Sequence, residues 1–213
     1  MLIFVIIARF WLNDSKSIIF RKKQAEIFKN QLIIFNMENN VCRFATESEA
    51  VLYTIPMNAV SERWLDWQEF DRGPGIFTIP ADEYLGIRAQ GLHDPDIRKL
   101  TAELLPVENL RYLNLTENRG ISNDGMAAVG ALKQLRYLNI GACDINSQGL
   151  AFLPQLVNLE YLNLSYCNRI NEKAAPYIQK LPRLRYLDLQ GCIKINTGGM
   201  KKFEKKGLTI HKP

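Results

Sequence analysis

The chain has 213 residues, of which 47% are hydrophobic, an ordinary composition for a soluble protein that buries one core. Its formal net charge is +5, but six basic and two acidic residues in positions 1–36 account for +4 and leave +1 for all the other residues. A nearly neutral body gives little electrostatic support for a nucleic-acid partner.

Residues 1–36 differ from the rest of the chain. They begin with an apolar run of about a dozen residues, interrupted by Arg9, whereas a membrane-spanning helix needs about 20. Neither the basic start nor the cleavage site of a signal peptide is evident. More than half of the segment is Ile, Phe, Lys or Asn, all with AT-rich codons. Two interpretations stay open: a non-native extension ahead of a true start at Met37, or a weak membrane-surface segment that forms an apolar and basic helix.

Residues 37–83 contain no repeat and are expected to form an N-terminal cap for the periodic sequence that follows. Trp64, Trp67 and Phe70 are three residues apart, close to helical spacing. The RGPG sequence is a break, and FTIP is expected to form a short strand that ends at Pro80. An aromatic ligand site at Trp64 and Trp67 is the alternative to a purely structural cap.

From Tyr84 onward the sequence is periodic. The motif LxxLxL, with isoleucine as its last residue in the second copy, recurs from Leu110, Leu135, Leu159 and Leu184, at spacings of 25, 24 and 25 residues. Alternating apolar residues predict a short strand in each repeat, and a period of 20 to 29 residues stacks such strands in parallel over one core. A first and a closing strand are expected in YLGIRAQGL and GLTIHKP, with inward residues Leu85, Ile87, Leu208 and Ile210.

The segments between the strands also repeat. Apolar residues three apart predict a short α or 3₁₀ helix that covers the core in each turn. In the first turn, Asp94 followed by Pro95 is predicted to cap the helix. The later helices are each preceded by a side chain that can cap them: Ser122, Asn146, Asn171 and Asn196.

One more position repeats, five residues after the first inward leucine of each strand. It contains Asn118, Cys143, Cys167 and Cys192, with an isoleucine two or three residues later. This pattern resembles the cysteine-containing subclass of leucine-rich repeats, best known from F-box substrate receptors, over roughly residues 84–213. The resemblance implies an α/β solenoid with short parallel strands on the concave side and short helices on the convex side. It also implies a protein-binding scaffold in which these four side chains form a structural ladder. No F-box-like segment is recognisable in residues 37–83.

The titratable residues do not indicate catalysis. The ladder cysteines lack the paired spacing of a zinc site, and unpaired cysteines fit a reducing compartment, which predicts a cytoplasmic location. His93 stands beside Asp94 and Asp96, but the start of a helix explains these residues without a metal. The two histidines are far apart, and no catalytic set or phosphate-binding glycine motif is apparent. We therefore expect neither an enzyme nor a cofactor.

The concave face is the candidate site. The residue before the first inward leucine points outward and is a tyrosine in five turns: Tyr84, Tyr112, Tyr137, Tyr161 and Tyr186. Strands about 4.8 Å apart would arrange these rings in a ladder about 20 Å long. The next outward row is expected to contain Gly86, Asn114, Asn139, Asn163 and Asp188. Aromatic rings beside neutral hydrogen-bonding groups are typical of a protein-binding surface, and rings that only stabilise the sheet are the alternative.

The sequence thus predicts a non-enzymatic module that binds another protein on its concave face. Tyr112, Tyr137 and Tyr161 are the expected central contacts, with Asn139 and Asn163 as orienting groups. Five strands project only about 400 Å², whereas a stable interface buries about 800 Å² on each partner, so loops, the cap or a multimer must contribute. The alternatives are a substrate-recognition subunit of a ubiquitin ligase, an effector-like protein, or a membrane-tethered form if the first 36 residues are native.

Overall fold

The computed structural model describes residues 42–60 and 66–211. These residues belong to one compact unit, Val41–Pro213. Both interpretations of residues 1–36, and the role predicted for Trp64, lie outside the described residues.

The strands of the described chain form one large sheet and one small one. They are β1 (Cys42–Thr46), β2 (Ala50–Pro56), β3 (Gln68–Arg72), β4 (Gly75–Ile79), β5 (Glu83–Ala89), β6 (Leu110–Asn114), β7 (Tyr137–Asn139), β8 (Tyr161–Asn163), β9 (Tyr186–Asp188) and β10 (Thr209–His211). The large sheet has the order β10-β9-β8-β7-β6-β5-β2-β3, and β1 pairs with β4. Neighbours from β5 to β10 are parallel, whereas β2 is antiparallel to both β5 and β3.

The inward residues of the parallel strands stack in register and confirm the predicted solenoid. Leu113 pairs with Leu138, Leu138 with Leu162, and Leu162 with Leu187. The predicted closing strand adds Ile210 beside Leu187. All four leucines are completely buried, and burial of each contributes roughly 2–3 kcal/mol. The core is therefore one continuous apolar ridge behind the sheet.

Short helices return the chain across the core, as predicted. They are α1 (Asp94–Leu104), α2 (Asn123–Met126), α3 (Ala175–Gln179) and α4 (Thr197–Met200), with 3₁₀ segments at Ala127–Ala131, Ser147–Gln155, Glu172–Ala174 and Lys201–Phe203. No helix in the described part of the chain is long and apolar enough to cross a membrane.

The four predicted caps of the later helices are confirmed, but the predicted cap of the first helix is wrong. Each later cap accepts a hydrogen bond from the first turn of its helix, as Asn146 does from the N–H of Gln148 at 2.9 Å. In the first turn, the N-cap is His93, and Asp94 is already helical. The Asp94 carboxylate instead accepts two hydrogen bonds from Ser122 in the next turn. Asp94 therefore links two turns of the solenoid.

The turn that leaves each strand has the same backbone shape from β5 to β9. Equivalent residues have φ between 54° and 71°: Gly91, Glu117, Ala142, Tyr166 and Gly191. A side chain in this left-handed region costs roughly 1–2 kcal/mol. A hydrogen bond offsets this cost at the three non-glycine residues, because the backbone N–H of each donates to a carbonyl of the next turn: Glu117 to Gly141, Ala142 to Ser165 and Tyr166 to Gln190.

The segment predicted to cap the solenoid packs against its first turn. The Thr46 hydroxyl donates to the buried Glu103 carboxylate at 2.7 Å and so ties β1 to α1. The strand predicted for FTIP is confirmed as β4. Phe70 lies in β3 and not in a helix, because β3 pairs with β2. The domain boundary expected between the cap (residues 37–83) and the repeats (84–213) stays a prediction. The strand β5 begins at this boundary and pairs with β2 of the cap on one side and with β6 of the repeats on the other.

Candidate protein-interaction face

Four of the five predicted tyrosines form a continuous row on the face of the sheet that points away from the core. Tyr112 pairs with Tyr137, Tyr137 with Tyr161, and Tyr161 with Tyr186. Their ring centroids are 6.4, 6.3 and 4.6 Å apart in that order, and the last two rings are stacked at an interplanar angle of 5°. These four residues, the tyrosine row, therefore form one aromatic strip across β6 to β9.

Tyr84 lies outside the tyrosine row, because the register predicted for the first turn is wrong by two residues. Gly86, not Tyr84, pairs with Tyr112, and the pairing is irregular between Leu85 and Gly86. Tyr84 instead lies beneath the guanidinium of Arg111, whose central carbon is 4.5 Å from the ring centroid. This is a cation–π contact with the neighbouring strand.

Trp67 occupies the place that the prediction gave to Tyr84. Its ring centroid is 6.0 Å from that of Tyr112. It also covers Gly86, where an added Cβ atom would lie 3.0 Å from the indole and would require the indole to shift slightly. Trp67 is 6% exposed. Its burial favours the capping interpretation of this residue over a ligand site.

Exposure varies along the tyrosine row. Tyr112 is only 6% exposed and packs in one apolar cluster with Ile55 and Trp67, whereas the other three rings are half-buried. Burial raises the pKa of Tyr112 and raises that of Tyr161 to about 12. The hydroxyls of Tyr112 and Tyr161 therefore stay protonated at neutral pH. The rings that a partner can reach are those of β7, β8 and β9.

The second outward row is held by the turns that follow the strands. Each side chain accepts a hydrogen bond from the backbone N–H two residues later, at 2.8–3.0 Å: Asn114 from Thr116, Asn139 from Gly141, Asn163 from Ser165, and Asp188 from Gln190. Such turns fix a short polar side chain against the backbone. The row continues at both ends, with Arg88 beside Asn114 in place of the predicted Gly86, and His211 beside Asp188. Nδ1 of His211 lies 3.2 Å from Oδ1 of Asp188.

The four ladder residues lie buried behind these rows. Asn118 accepts a hydrogen bond from the N–H of Leu92 and donates to the carbonyls of Ala89 and Leu115, each at 2.8 Å. The thiols donate at 3.1–3.2 Å to carbonyls of the preceding turn: Cys143 to Leu115, Cys167 to Ile140, and Cys192 to Leu164. The ladder thus satisfies backbone groups that water cannot reach.

The ladder thiols have low reactivity at neutral pH. Burial raises the pKa of Cys143 and of Cys167 to about 12, and that of Cys192 to about 11, so the reactive thiolate is rare at neutral pH. Across residues 42–60 and 66–211, no group of three or more His, Cys, Asp and Glu side chains is placed to hold a metal ion.

The sheet is larger than the five strands from which the face was predicted. Eight strands at about 4.8 Å span roughly 34 Å, against roughly 19 Å for five. The sequence prediction missed β2 and β3, and hence Val51, Tyr53 and Arg72 on the same face as the tyrosine row. The alternating pattern of AVLYTIP was the available signal for β2, whereas QEFDR gives no comparable signal for β3.

Two family-model matches agree with this architecture. Residues 108–130 and 158–181 each match a family described as leucine-rich repeat. None of the curated proteins matches the chain. Among solved structures, the chain is similar to one chain of the crystal structure of the Rad7 and Elc1 complex in yeast, with 19% identity and a TM-score of 0.45. That match covers 58% of this chain and 31% of the other, so this chain spans less than a third of its length.

Leucine-rich repeats are in general non-catalytic modules for protein interaction, and the two matches indicate such a module. Both matched segments contain a strand of the tyrosine row and the convex segment that follows it. Residues 108–130 and 158–181 are therefore leucine-rich repeats, and the stacked strands and buried ladder around them form a leucine-rich-repeat solenoid.

Proposed function

We propose that the protein binds a partner protein on the concave face, defined as the face of the large sheet that carries the tyrosine row. The observation that carries this proposal is the contiguous strip of half-buried rings on β7 to β9. A tyrosine offers a large contact area with a polar end and loses little entropy on binding, which is why it is enriched in interface cores.

The pre-arranged geometry of the face supports the proposal. Tyr161 and Tyr186 are already stacked, with centroids 4.6 Å apart. Asn139 and Asn163 are held by hydrogen bonds to the turns that follow them. Side chains ordered before binding lose less conformational freedom when a partner docks, and this increases affinity.

The proposed contacts differ in part from those expected from the sequence. We keep Tyr137, Tyr161 and Tyr186 as the aromatic contacts, and Asn139 and Asn163 as polar contacts beside them. Asp188, which is only 8% exposed and lies 3.2 Å from His211, supports the C-terminal end of the face. Tyr84, Tyr112 and Asn114 support the face from its covered end and are not proposed as direct contacts.

The interface extends beyond these side chains in this proposal. The eight strands of the large sheet contain 36 residues and, at about 3.3 Å per residue and about 4.8 Å between strands, project roughly 570 Å², still below the 800 Å² that a stable interface buries on one partner. Tyr166, which follows β8 and is 55% exposed, and Ile193, which follows β9 and is 77% exposed, offer further apolar surface. We propose that a tightly bound partner also contacts these turns.

The test is capture of a partner from a lysate of the source cells by three forms of the full chain. These are the unchanged protein, the Tyr161→Ala/Tyr186→Ala double variant, and Tyr177→Ala. Tyr177 is the matched control, because it is a half-buried tyrosine in the convex helix α3. We expect a partner that the first and third forms retain and the double variant loses, once thermal unfolding has shown all three to be folded. Equal capture by all three forms would move the binding site away from the tyrosine row.

A further inference from the structure

Two arginines stand on the concave face at its N-terminal end. Val51 of β2 pairs with Arg72 of β3 on one side and with Arg88 of β5 on the other. Arg88 in turn pairs with Asn114. Residues that pair directly across a sheet point to the same side, so both guanidinium groups extend the row of polar side chains beside the tyrosine row.

The two arginines border a depression of about 280 Å³, which is also lined by Val51, Gly73, Glu49 and Gln90. Sites for drug-sized ligands usually have about 300–1,000 Å³. This depression is smaller, and it opens where the concave face meets the turns that follow its strands. Its size and place suit one side chain of a partner that lies along the face.

Arg88 has an unused hydrogen-bond donor at this place. Its Nε atom is buried and has no hydrogen-bond partner among the described residues. The Nε atom of Arg72, by contrast, donates to Oε1 of Glu69 at 2.8 Å. A buried donor without an acceptor is costly, so a shift of the Arg88 side chain toward an acceptor brought by a ligand gains a hydrogen bond that the unbound protein lacks.

The charges select the kind of acceptor. A guanidinium matches the planar geometry of a carboxylate and can donate two parallel hydrogen bonds to it. Glu69 compensates the charge of Arg72 at 2.8 Å, and the exposed Glu49 lies on the rim. The formal charges of these two arginines and two glutamates cancel, so the Arg88 guanidinium acts without a net positive field around it, which favours a singly charged carboxylate over a phosphate group with nearly two charges.

We propose that this depression, the Arg88 site, binds the carboxylate of an aspartate or glutamate side chain of the partner protein. The proposal rests on the proposed function, because the site lies on the face assigned to the partner. It adds that the bound segment is acidic where it crosses β5 and contacts aromatic rings where it crosses β7 to β9.

The test measures carboxylate binding directly, by ¹H–¹⁵N NMR of the full chain titrated with N-acetylglutamic acid amide. The reporters are the Nε–H signal of Arg88 and the backbone N–H signals of Val51 and Gln90. We expect saturable shifts, with a dissociation constant in the range of about 1 mM or weaker for so small a probe, and weaker binding as salt is added. N-acetylglutamine amide, which has the same shape without the charge, should cause no saturable shift.

Three variants separate the site from general charge effects. Arg88→Gln should weaken binding about tenfold, since it removes a charge-assisted hydrogen bond, and Glu49→Gln should strengthen it. Arg98→Gln, at an exposed arginine on α1, should leave it unchanged. The proposal is overturned if the two probes behave alike, if Glu49→Gln has no effect, or if inorganic phosphate binds more tightly than the carboxylate.

The outcomes also separate this proposal from the proposed function. Carboxylate binding is measured without the partner, so its failure would leave the assignment of the tyrosine row untouched. If the Arg88 site binds the probe but the tyrosine double variant still captures its partner, the tyrosine row is excluded and the Arg88 site stands.

Discussion

The carboxylate of Asp94 accepts two hydrogen bonds from Ser122, one from the backbone N–H at 2.7 Å and one from the hydroxyl at 2.6 Å. Asp94 begins the first helix, and Ser122 caps the second. One side chain therefore fixes the spacing of two successive turns of the solenoid.

We expect Asp94→Asn to lower the free energy of unfolding by about 1–2 kcal/mol, because hydrogen bonds to a charged acceptor are stronger than those to an amide. Urea unfolding of both proteins measures the difference. Asp82→Asn is the control, since Asp82 is exposed and a neutral amide there should change stability little. Equal losses in the two variants would mean that the link to Ser122 contributes nothing specific.

The same contact predicts a dependence on acidic pH. Burial acts to raise the pKa of Asp94, but the hydrogen bonds from Ser122, the charge of Arg98 and a backbone hydrogen bond from Gly125 together outweigh it, and the pKa is lowered. A carboxyl group whose pKa is lower in the folded state stabilises the fold above its ordinary pKa near 4 and loses that contribution as the pH falls below it. The stability difference between Asp94→Asn and the unchanged protein should therefore shrink between about pH 5 and pH 2.

The ladder predicts a ranking of substitutions. Asn118→Ala removes three hydrogen bonds and leaves the N–H of Leu92 and the carbonyl of Ala89 buried without this partner. Cys167→Ala removes one weak thiol hydrogen bond. We expect losses of roughly 3 kcal/mol for the first variant and roughly 1–2 kcal/mol for the second, measured by chemical unfolding. The reverse order would contradict the assignment of Asn118 as the main polar support of the ladder.

The cysteines also predict how stability changes in alkaline solution. Burial raises the pKa of Cys167 to about 12, against an ordinary value of 9.0. As the pH rises above 9, the unfolded chain loses this proton before the folded chain does, so the folded state becomes less stable. The slope for one such thiol approaches about 1.4 kcal/mol per pH unit. Between pH 9 and 12, Cys167→Ala should lose stability less steeply than the unchanged protein, and parallel curves would contradict the burial of this thiol.

The left-handed turns predict opposite effects of glycine and alanine. Ala142 has φ of 54°, so Ala142→Gly should raise the free energy of unfolding by roughly 1 kcal/mol. Gly191 has φ of 70°, and a Cβ atom there would lie 2.5 Å from Cδ1 of Tyr166. We expect Gly191→Ala to lower the thermal midpoint and Ala142→Gly to raise it. The same direction of change in both would exclude backbone strain as the cause.

The regular part of the fold was predictable because the same residue types recur at the same positions in each turn. Each turn from Leu110 onward contains the same alternation, the same capping position and the same ladder position, so one period predicts the next. The ladder was visible because Asn118 and the three cysteines are polar or small at a fixed distance from an inward leucine.

The first turn was not predictable in the same way. Its ladder position contains Leu92, an apolar residue that does not stand out as a ladder residue. The sequence YLGI was therefore aligned with YLNL of the next turn, and this alignment put Tyr84 in the tyrosine row. The left-handed Gly91, equivalent to Glu117, shows the correct alignment. The place of Trp67 beside the tyrosine row could not be predicted, for another reason. Its contact with Tyr112 joins residues far apart in the chain, and local spacing does not reveal such a contact.

The central claim is that a partner protein lies on the tyrosine row, and site-specific photo-crosslinking tests it most directly. The photoreactive residue p-benzoylphenylalanine would replace Tyr161 in one preparation of the full chain and Tyr177 in another, because these are half-buried tyrosines on opposite faces of the solenoid. Each preparation would be irradiated in the same lysate of source cells. We predict one crosslinked partner with the probe at position 161 and none with the probe at position 177. The same partner crosslinked only from position 177 would contradict the claim and place binding on the convex side.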